Sequence, residues 1–241
     1  MAELVLRLEG VCQSYRRGRD CWEVLSGVSL TVAAGEFVGV LGDRNDGKTT
    51  LLEIAAGLRV PDAGSVWFEG RDLVCCSDDE RAELLGDRIV WMPNKDFAGF
   101  EVLEYVALPL GMDRGCGDMR PADDRAREAL KRVDAESCEG RDWDDLSDWD
   151  RLLVTFARGY AARPALMVVD DLLDALGAGG RREGGELLLA LATELQCGVL
   201  VTASNMATLL AAHRVLRFDG DGGITQTTTN LHRLPSRRAA S

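Results

Sequence analysis

Residues 42–50 read Gly42-Asp43-Arg44-Asn45-Asp46-Gly47-Lys48-Thr49-Thr50. An apolar run, Phe37-Val38-Gly39-Val40-Leu41, precedes them, and a helical pattern, Leu51-Leu52-Glu53-Ile54-Ala55-Ala56, follows. The stretch satisfies G-x-x-x-x-G-K-[ST], the spacing of a phosphate-binding loop, and it sits between strand and helix as that chemistry requires. Glycine corners let such a loop aim backbone N–H groups at an anion, and the helix N-terminus adds the positive end of its dipole. Lys48 is then placed to reach the β- and γ-phosphates, and the Thr49 hydroxyl to hold Mg²⁺. Only Lys48, Lys95 and Lys131 are lysines among 28 basic residues, so background composition does not supply this one. The chain reads as a nucleotide binder, or as the descendant of one.

With 241 residues the chain has room for one large α/β domain, or for a core with a smaller lobe. Hydrophobic residues at 46% and charged residues at 28% fit an ordinary globular protein. No apolar run approaches the ~18 residues of a membrane span. Met1-Ala2-Glu3-Leu4 lacks the basic and apolar regions of a signal peptide, so a cytoplasmic location is expected. A net charge of −12 argues against nucleic acid as a partner, because phosphate neutralisation needs a basic face. The seven cysteines are scattered without C-x-x-C pairs, which reads as reduced thiols and not zinc. His213 and His232 are too few and too distant for a metal cluster.

Around the loop, Leu4–Leu8 and Val28–Val32 alternate as half-buried antiparallel strands do, with a connection at Val24-Leu25 and a turn at Ser26-Gly27. Ser65–Phe68, Ile89–Met92, Val199–Thr202 and Val215–Phe218 read as strands, and Leu166-Met167-Val168-Val169-Asp170 as a buried strand ending in an acid. Helices are expected from Ser77 to Leu85, over Val102–Val133 with a break at Gly111–Pro121, and at Leu152–Tyr160, Glu186–Leu195 and Met206–Ala212. From about Asp221 the chain turns Gly/Thr-rich and then basic, as loosely ordered tails do. Strands alternating with helices around a phosphate loop predict an α/β fold. It has a mainly parallel sheet, an antiparallel β edge subdomain and a helical lobe inserted at about 101–157. The expected domain covers 1–220, with 221–241 as a tail.

This order of features resembles the ATP-binding subunit of an ABC transporter, closest to the branch serving lipoprotein release and macrolide export. The likeness is carried by Glu23-Val24-Leu25-Ser26-Gly27-Val28-Ser29-Leu30, Gly35-Glu36, the phosphate loop, Ala56-Gly57-Leu58 and Pro61-Asp62-Ala63-Gly64-Ser65-Val66. Val102-Leu103-Glu104-Tyr105-Val106-Ala107-Leu108-Pro109-Leu110, Arg163-Pro164 and Arg214-Val215-Leu216 extend it over roughly residues 4–220. The resemblance implies a P-loop NTPase core that binds ATP and Mg²⁺. It implies a permease partner in the membrane and a second nucleotide-binding subunit, with this chain peripheral on the inner face. It also implies adenine stacking on Tyr15, Mg²⁺ held by Thr49 and Asp170, and phosphate contacts from Gly42 through Thr50. Phe97, Phe100 and Leu103 match the region that meets the permease.

The catalytic motifs depart from the family. The signature that should read LSGGQ reads Leu146-Ser147-Asp148-Trp149-Asp150, putting side chains and carboxylates where glycine allows close approach to a partner's γ-phosphate. A charge ~5 Å from a phosphate costs about 3 kcal/mol at an effective dielectric near 20. Asp171 stands for the glutamate that acts as general base. The loop glutamine falls at Asn94 or Met92, with Asn94 preferred, and the switch histidine at Ala203 or Ser204. Gly177 replaces the D-loop aspartate. In the phosphate loop, Asn45 stands for a glycine and Asp46 for a small neutral residue, the latter expected to repel the γ-phosphate. Weak or absent hydrolysis is the expectation. A non-enzymatic pseudo-ATPase acting as a scaffold is the rival reading, resting on the acids Asp46, Asp148 and Asp150. A DNA-repair member of the family would carry a long coiled-coil insertion that this chain lacks.

Overall fold

The computed structural model describes residues 3–18, 20–112 and 120–227. A long antiparallel hairpin, β1 (Leu4–Arg17) and β2 (Asp20–Ala33), opens the chain. The sequence places a turn at Ser26-Gly27, but that dipeptide lies inside β2. Gly27 takes φ 64 there, and the pairing with β1 slips between Val11 and Gln13. A bulge absorbs the left-handed residue without ending the strand. The first sheet is completed by β4 (Ala63–Phe68) and β5 (Arg71–Asp72), in the order β2-β1-β4-β5.

The second sheet runs β10-β9-β3-β8-β7-β6. Its parallel members are β3 (Phe37–Leu41), β6 (Ile89–Pro93), β7 (Leu166–Asp170), β8 (Gly198–Ala203) and β9 (Arg214–Phe218). An antiparallel edge, β10 (Ile224–Thr227), pairs Ile224 with Phe218 and Thr227 with Val215. This strand lies beyond the expected boundary at 220, because Ile224-Thr225-Gln226-Thr227 is β-branched enough to extend the sheet. The rest of the expected tail, 228–241, lies outside the described residues.

The parallel strands are buried on both faces, and alternate residues feed different cores. Phe37, Met167, Val169, Val199 and Val201 enter one apolar cluster with the inserted helices and α6 (Ala178–Leu195). Val38, Val40, Leu166, Val168 and Leu200 enter another, with α1 (Lys48–Ala55) and the antiparallel sheet. α2 (Asp78–Asp87) starts with a Ser77–Glu80 capping box and three acids in its first turn.

The inserted lobe consists of α3 (Val102–Ala107), α4 (Ala122–Arg132) and α5 (Asp148–Ala162). Residues 113–119 of the expected helix break lie outside the described residues. Tyr105, Phe97 and Trp143 pack ring to ring in this lobe, with centroids 4.7 to 5.3 Å apart. Its core is continuous with that of the parallel sheet. α6 begins at Ala178 and not at Glu186. Its early glycines erase the apolar period, yet Gly184 is needed for packing: a Cβ there would lie 2.5 Å from Leu173 Cδ2. The expected helix Met206–Ala212 is a single 3₁₀ turn, Met206–Leu209. Among the described residues, no helix is long and apolar enough to cross a membrane.

Two features set up the site. First, β3, β8 and β7 are neighbours in register, with Leu41 beside Ala203 and Val169 beside Val201, so the loops leaving their C-terminal ends converge. Second, the two sheets are clamped at the opposite end. There Arg214 Nε meets Glu36 Oε1 at 2.7 Å, Glu36 Oε2 accepts the Ala33 N–H at 2.8 Å, and Arg214 also donates to the Thr31 carbonyl. His213 accepts the Phe37 N–H at Nδ1. Breaking a buried pair strands its partner's charge, so Arg214→Met should cost about 3 kcal/mol in denaturant unfolding. Adding Glu36→Gln should recover part of that loss; equal stability of wild type and Arg214→Met would show that the clamp is idle.

Candidate nucleotide-binding site

The loop after β3 wraps the N-terminus of α1. Gly47 takes φ 95, and a Cβ there would lie 2.7 Å from the Val24 carbonyl oxygen, so glycine is obligatory. Asn45 holds φ 74, a left-handed conformation that asparagine tolerates well. Asp46 folds back across the loop, its Oδ2 accepting the Asp43 N–H at 2.6 Å. Lys48 is 6% exposed. Its ammonium donates to the Gly42 carbonyl at 2.9 Å and to Ser204 Oγ, and pairs with Asp171 Oδ2 at 3.0 Å. All three ammonium protons are thereby engaged.

A second set of bonds ties the loop to the end of β7. Thr49 Oγ1 donates to Asp170 Oδ2 at 2.8 Å, Thr202 Oγ1 donates to Asp170 Oδ1 at 3.0 Å, and Thr202 Oγ1 accepts the Asp171 N–H at 3.1 Å. Burial pushes the Asp170 carboxyl above the usual carboxylate range, and the two threonine hydroxyls act in the opposite direction. Asp171 sits at φ 47, and its buried Oδ1 has no protein partner.

A cleft of about 770 Å³ opens over Lys48. Of the residues expected from sequence, it gathers Tyr15, Arg44, Asn45, Gly47, Lys48, Thr49, Thr50 and Asp171. Asp170 reaches it through Thr49. Gly42, Asp43 and Asp46 line a different cleft, of about 460 Å³, on the other side of the loop with Arg217 and Asp219. The sequence reading aimed the Asp46 carboxylate at the γ-phosphate; the hydrogen bond to Asp43 turns it away from the Lys48 cleft. Met92 is buried in the core, whereas Asn94 is exposed with Nδ2 3.5 Å from the Asp171 carbonyl oxygen, in a small cleft with Asp148. Ala203 is buried in β8, and Ser204 is the residue that meets Lys48.

The signature segment also differs from its sequence reading. Ser147 caps α5 in a reciprocal box with Asp150, which lies 3.7 Å from Arg141 Nη1. Trp149 is half-buried beside Gly180 and Gly184 of α6. Only Asp148 of the three stays exposed. Phe97, Phe100 and Leu103 are partly buried against the lobe's core. Three participants were missed in the sequence: Trp22 in the cleft wall, Thr202 between the two acids, and Asp174. The last accepts the Ser204 N–H at 2.6 Å and the Thr208 hydroxyl at 2.8 Å, holding the Ser204 segment. No spacing rule signals any of them, because each acts through strand register and not through a motif.

A family profile described as ABC transporter matches residues 25–173, more than half of the chain. The chain belongs to the ABC transporter family, as an ATP-binding subunit. Two similar proteins are named lipoprotein-releasing system ATP-binding protein LolD. That of Chromohalobacter salexigens is 33% identical, covering 90% of this chain and 92% of the relative, and that of a Ruegeria species is 31% identical, covering 94% and 100%. The dimeric ATP-binding cassette MJ0796, in a post-hydrolysis state with ADP and phosphate, superposes with a TM-score of 0.83 at 25% identity, covering 95% of this chain and all of the cassette. A second dimeric structure of the same cassette gives 0.84.

The ABC subunit's donor set suits its ligands. The glycine cradle at Gly47, the α1 N-terminus and Lys48 suit a polyphosphate. The Thr49 hydroxyl and Asp170 carboxylate are hard oxygens suited to Mg²⁺, with the orphaned Asp171 Oδ1 close by. Among the described residues no group of three or more His, Cys, Asp or Glu could hold a metal alone. Because Asp46 faces away from Lys48, Asp46→Asn should change MgATP affinity by less than about threefold, as expected for a screened outward charge. A tenfold gain in a binding titration would restore the repulsive reading.

Proposed function

We propose that this ABC subunit docks on the inner face of a membrane permease, pairs with a second nucleotide-binding subunit, and binds MgATP over Lys48 while hydrolysing it slowly. Lys48 contacts the phosphates, Thr49 and Asp170 hold Mg²⁺, and Tyr15 lies on the wall that meets the nucleoside. The bound ion neutralises charge on the phosphates. The relatives' role in lipoprotein release supports the permease partner, and the dimeric cassettes support pairing.

Slow turnover is carried by one observation: the acid in the base position, Asp171, is drawn onto Lys48 at 3.0 Å. A general base must come within roughly 2.6–3.2 Å of its water and contributes about 10²–10⁴-fold when it does. Asp171 is one methylene shorter than glutamate and is already engaged. Among the described residues lining the cleft none is a histidine or glutamine, and Asn94 faces a neighbouring cleft. Support for binding over the scaffold reading comes from the acids themselves. Asp46 is tied to the Asp43 N–H and Asp150 to Ser147 and Arg141, which leaves Asp148 alone as an uncompensated charge.

Phosphate release by the purified chain tests the reading. The expected rate lies far below the ~1 s⁻¹ lower end of common enzymes, with Asp171→Asn changing it by less than about threefold. A rate near 1 s⁻¹ that falls about 10²-fold in Asp171→Asn would establish Asp171 as a working base.

A further inference from the structure

We propose that the second nucleotide-binding subunit is another copy of this chain, and that Arg44 of each copy pairs with Asp148 of the partner subunit. The inference rests on the pairing reading above and names the partner. Arg44 is an exposed residue of the phosphate loop and lines the cleft over Lys48. Asp148, the first residue of α5, is also exposed and lines the smaller cleft beside Asn94. Asp171 lines the first cleft and its chain neighbour Leu172 the second, so the two adjoin at the end of β7. Arg44 and Asp148 therefore flank one boundary, a cation on one side and an acid on the other.

Neither charge is answered within the chain. Among the described residues, neither side chain forms an ion pair or a hydrogen bond. Lys48, the other cation lining the larger cleft, is buried and already engaged. Lys95 and Arg151 share the smaller cleft with Asp148, yet Arg151 donates to the Trp143 carbonyl and neither forms an ion pair with the acid. Opposite charges held apart on one face make that face self-complementary. A two-fold axis through the boundary sets each arginine against the partner's acid, so the contact is made twice. A guanidinium can hold a carboxylate through two parallel hydrogen bonds. Asp148, unfavourable to a bound phosphate when alone, is then neutralised by the loop that holds that phosphate. The net charge of −12 on each copy opposes association at long range, but salt screens it within about 10 Å and leaves local pairs to set the register.

Sedimentation velocity of the purified chain at saturating MgATP tests the proposal, with nucleotide binding measured on the same samples. The wild type should self-associate. Arg44→Glu and Asp148→Lys each bring like charges together twice per dimer, and each should weaken association at least about tenfold. An equimolar mixture of the two variants should recover most of the loss, because both contacts in the mixed pair again join opposite charges. Only a contact between chains can be rescued in this way. Single variants that associate like the wild type, or a mixture as weak as its parts, would overturn the Arg44–Asp148 pair. A wild type that binds MgATP and stays monomeric would overturn self-pairing, but not nucleotide binding. A folded wild type that binds no MgATP would remove the nucleotide-binding reading, and this inference with it.

Discussion

The buried ammonium of Lys48 is the point on which the site depends. Its three partners come from the loop itself, from the end of β7 and from the segment after β8, so one cation ties three strand ends together. A buried charge is tolerable only when it is paired and hydrogen-bonded, and here the pairing group is the acid expected to do catalysis. The Thr49–Asp170–Thr202 chain holds the phosphate loop in place beside that cation.

The architecture was largely legible in the sequence, for reasons that can be named. Continuous apolar runs such as Leu166–Val169 sit in a sheet buried on both faces, and the glycine–lysine spacing leaves few ways to connect β3 to α1. Legibility failed where backbone geometry outweighed pattern. Gly27 looked like a turn but is a bulge within β2. The glycines of α6 hid its first two turns, because packing against Leu173 and Leu152, and not propensity, keeps them helical. The Thr-rich stretch after Gly223 looked like a tail but is β10.

The candidate site shows the same division. Loop spacing pointed to Lys48 and Thr49 and the family resemblance to Asp170 and Asp171, and the fold brings these four side chains together. Side-chain direction was not readable. Asp46 was assigned to the phosphate and instead staples its own loop; Asp150 was counted as a surface charge and instead caps a helix. Trp149 looked like an obstruction for a partner subunit, yet it is half-buried beside the glycines of α6. Trp22, Thr202 and Asp174 were invisible because only folding brings them near Lys48.

Equilibrium binding of MgATP to the purified chain, with Lys48→Ala alongside, tests the central claim most directly. The account predicts micromolar binding by the wild type and a loss of about a hundredfold or more in Lys48→Ala, as expected for removing a buried charge-assisted contact. Equal binding by the two folded proteins, or none by either, would contradict a nucleotide site organised around Lys48.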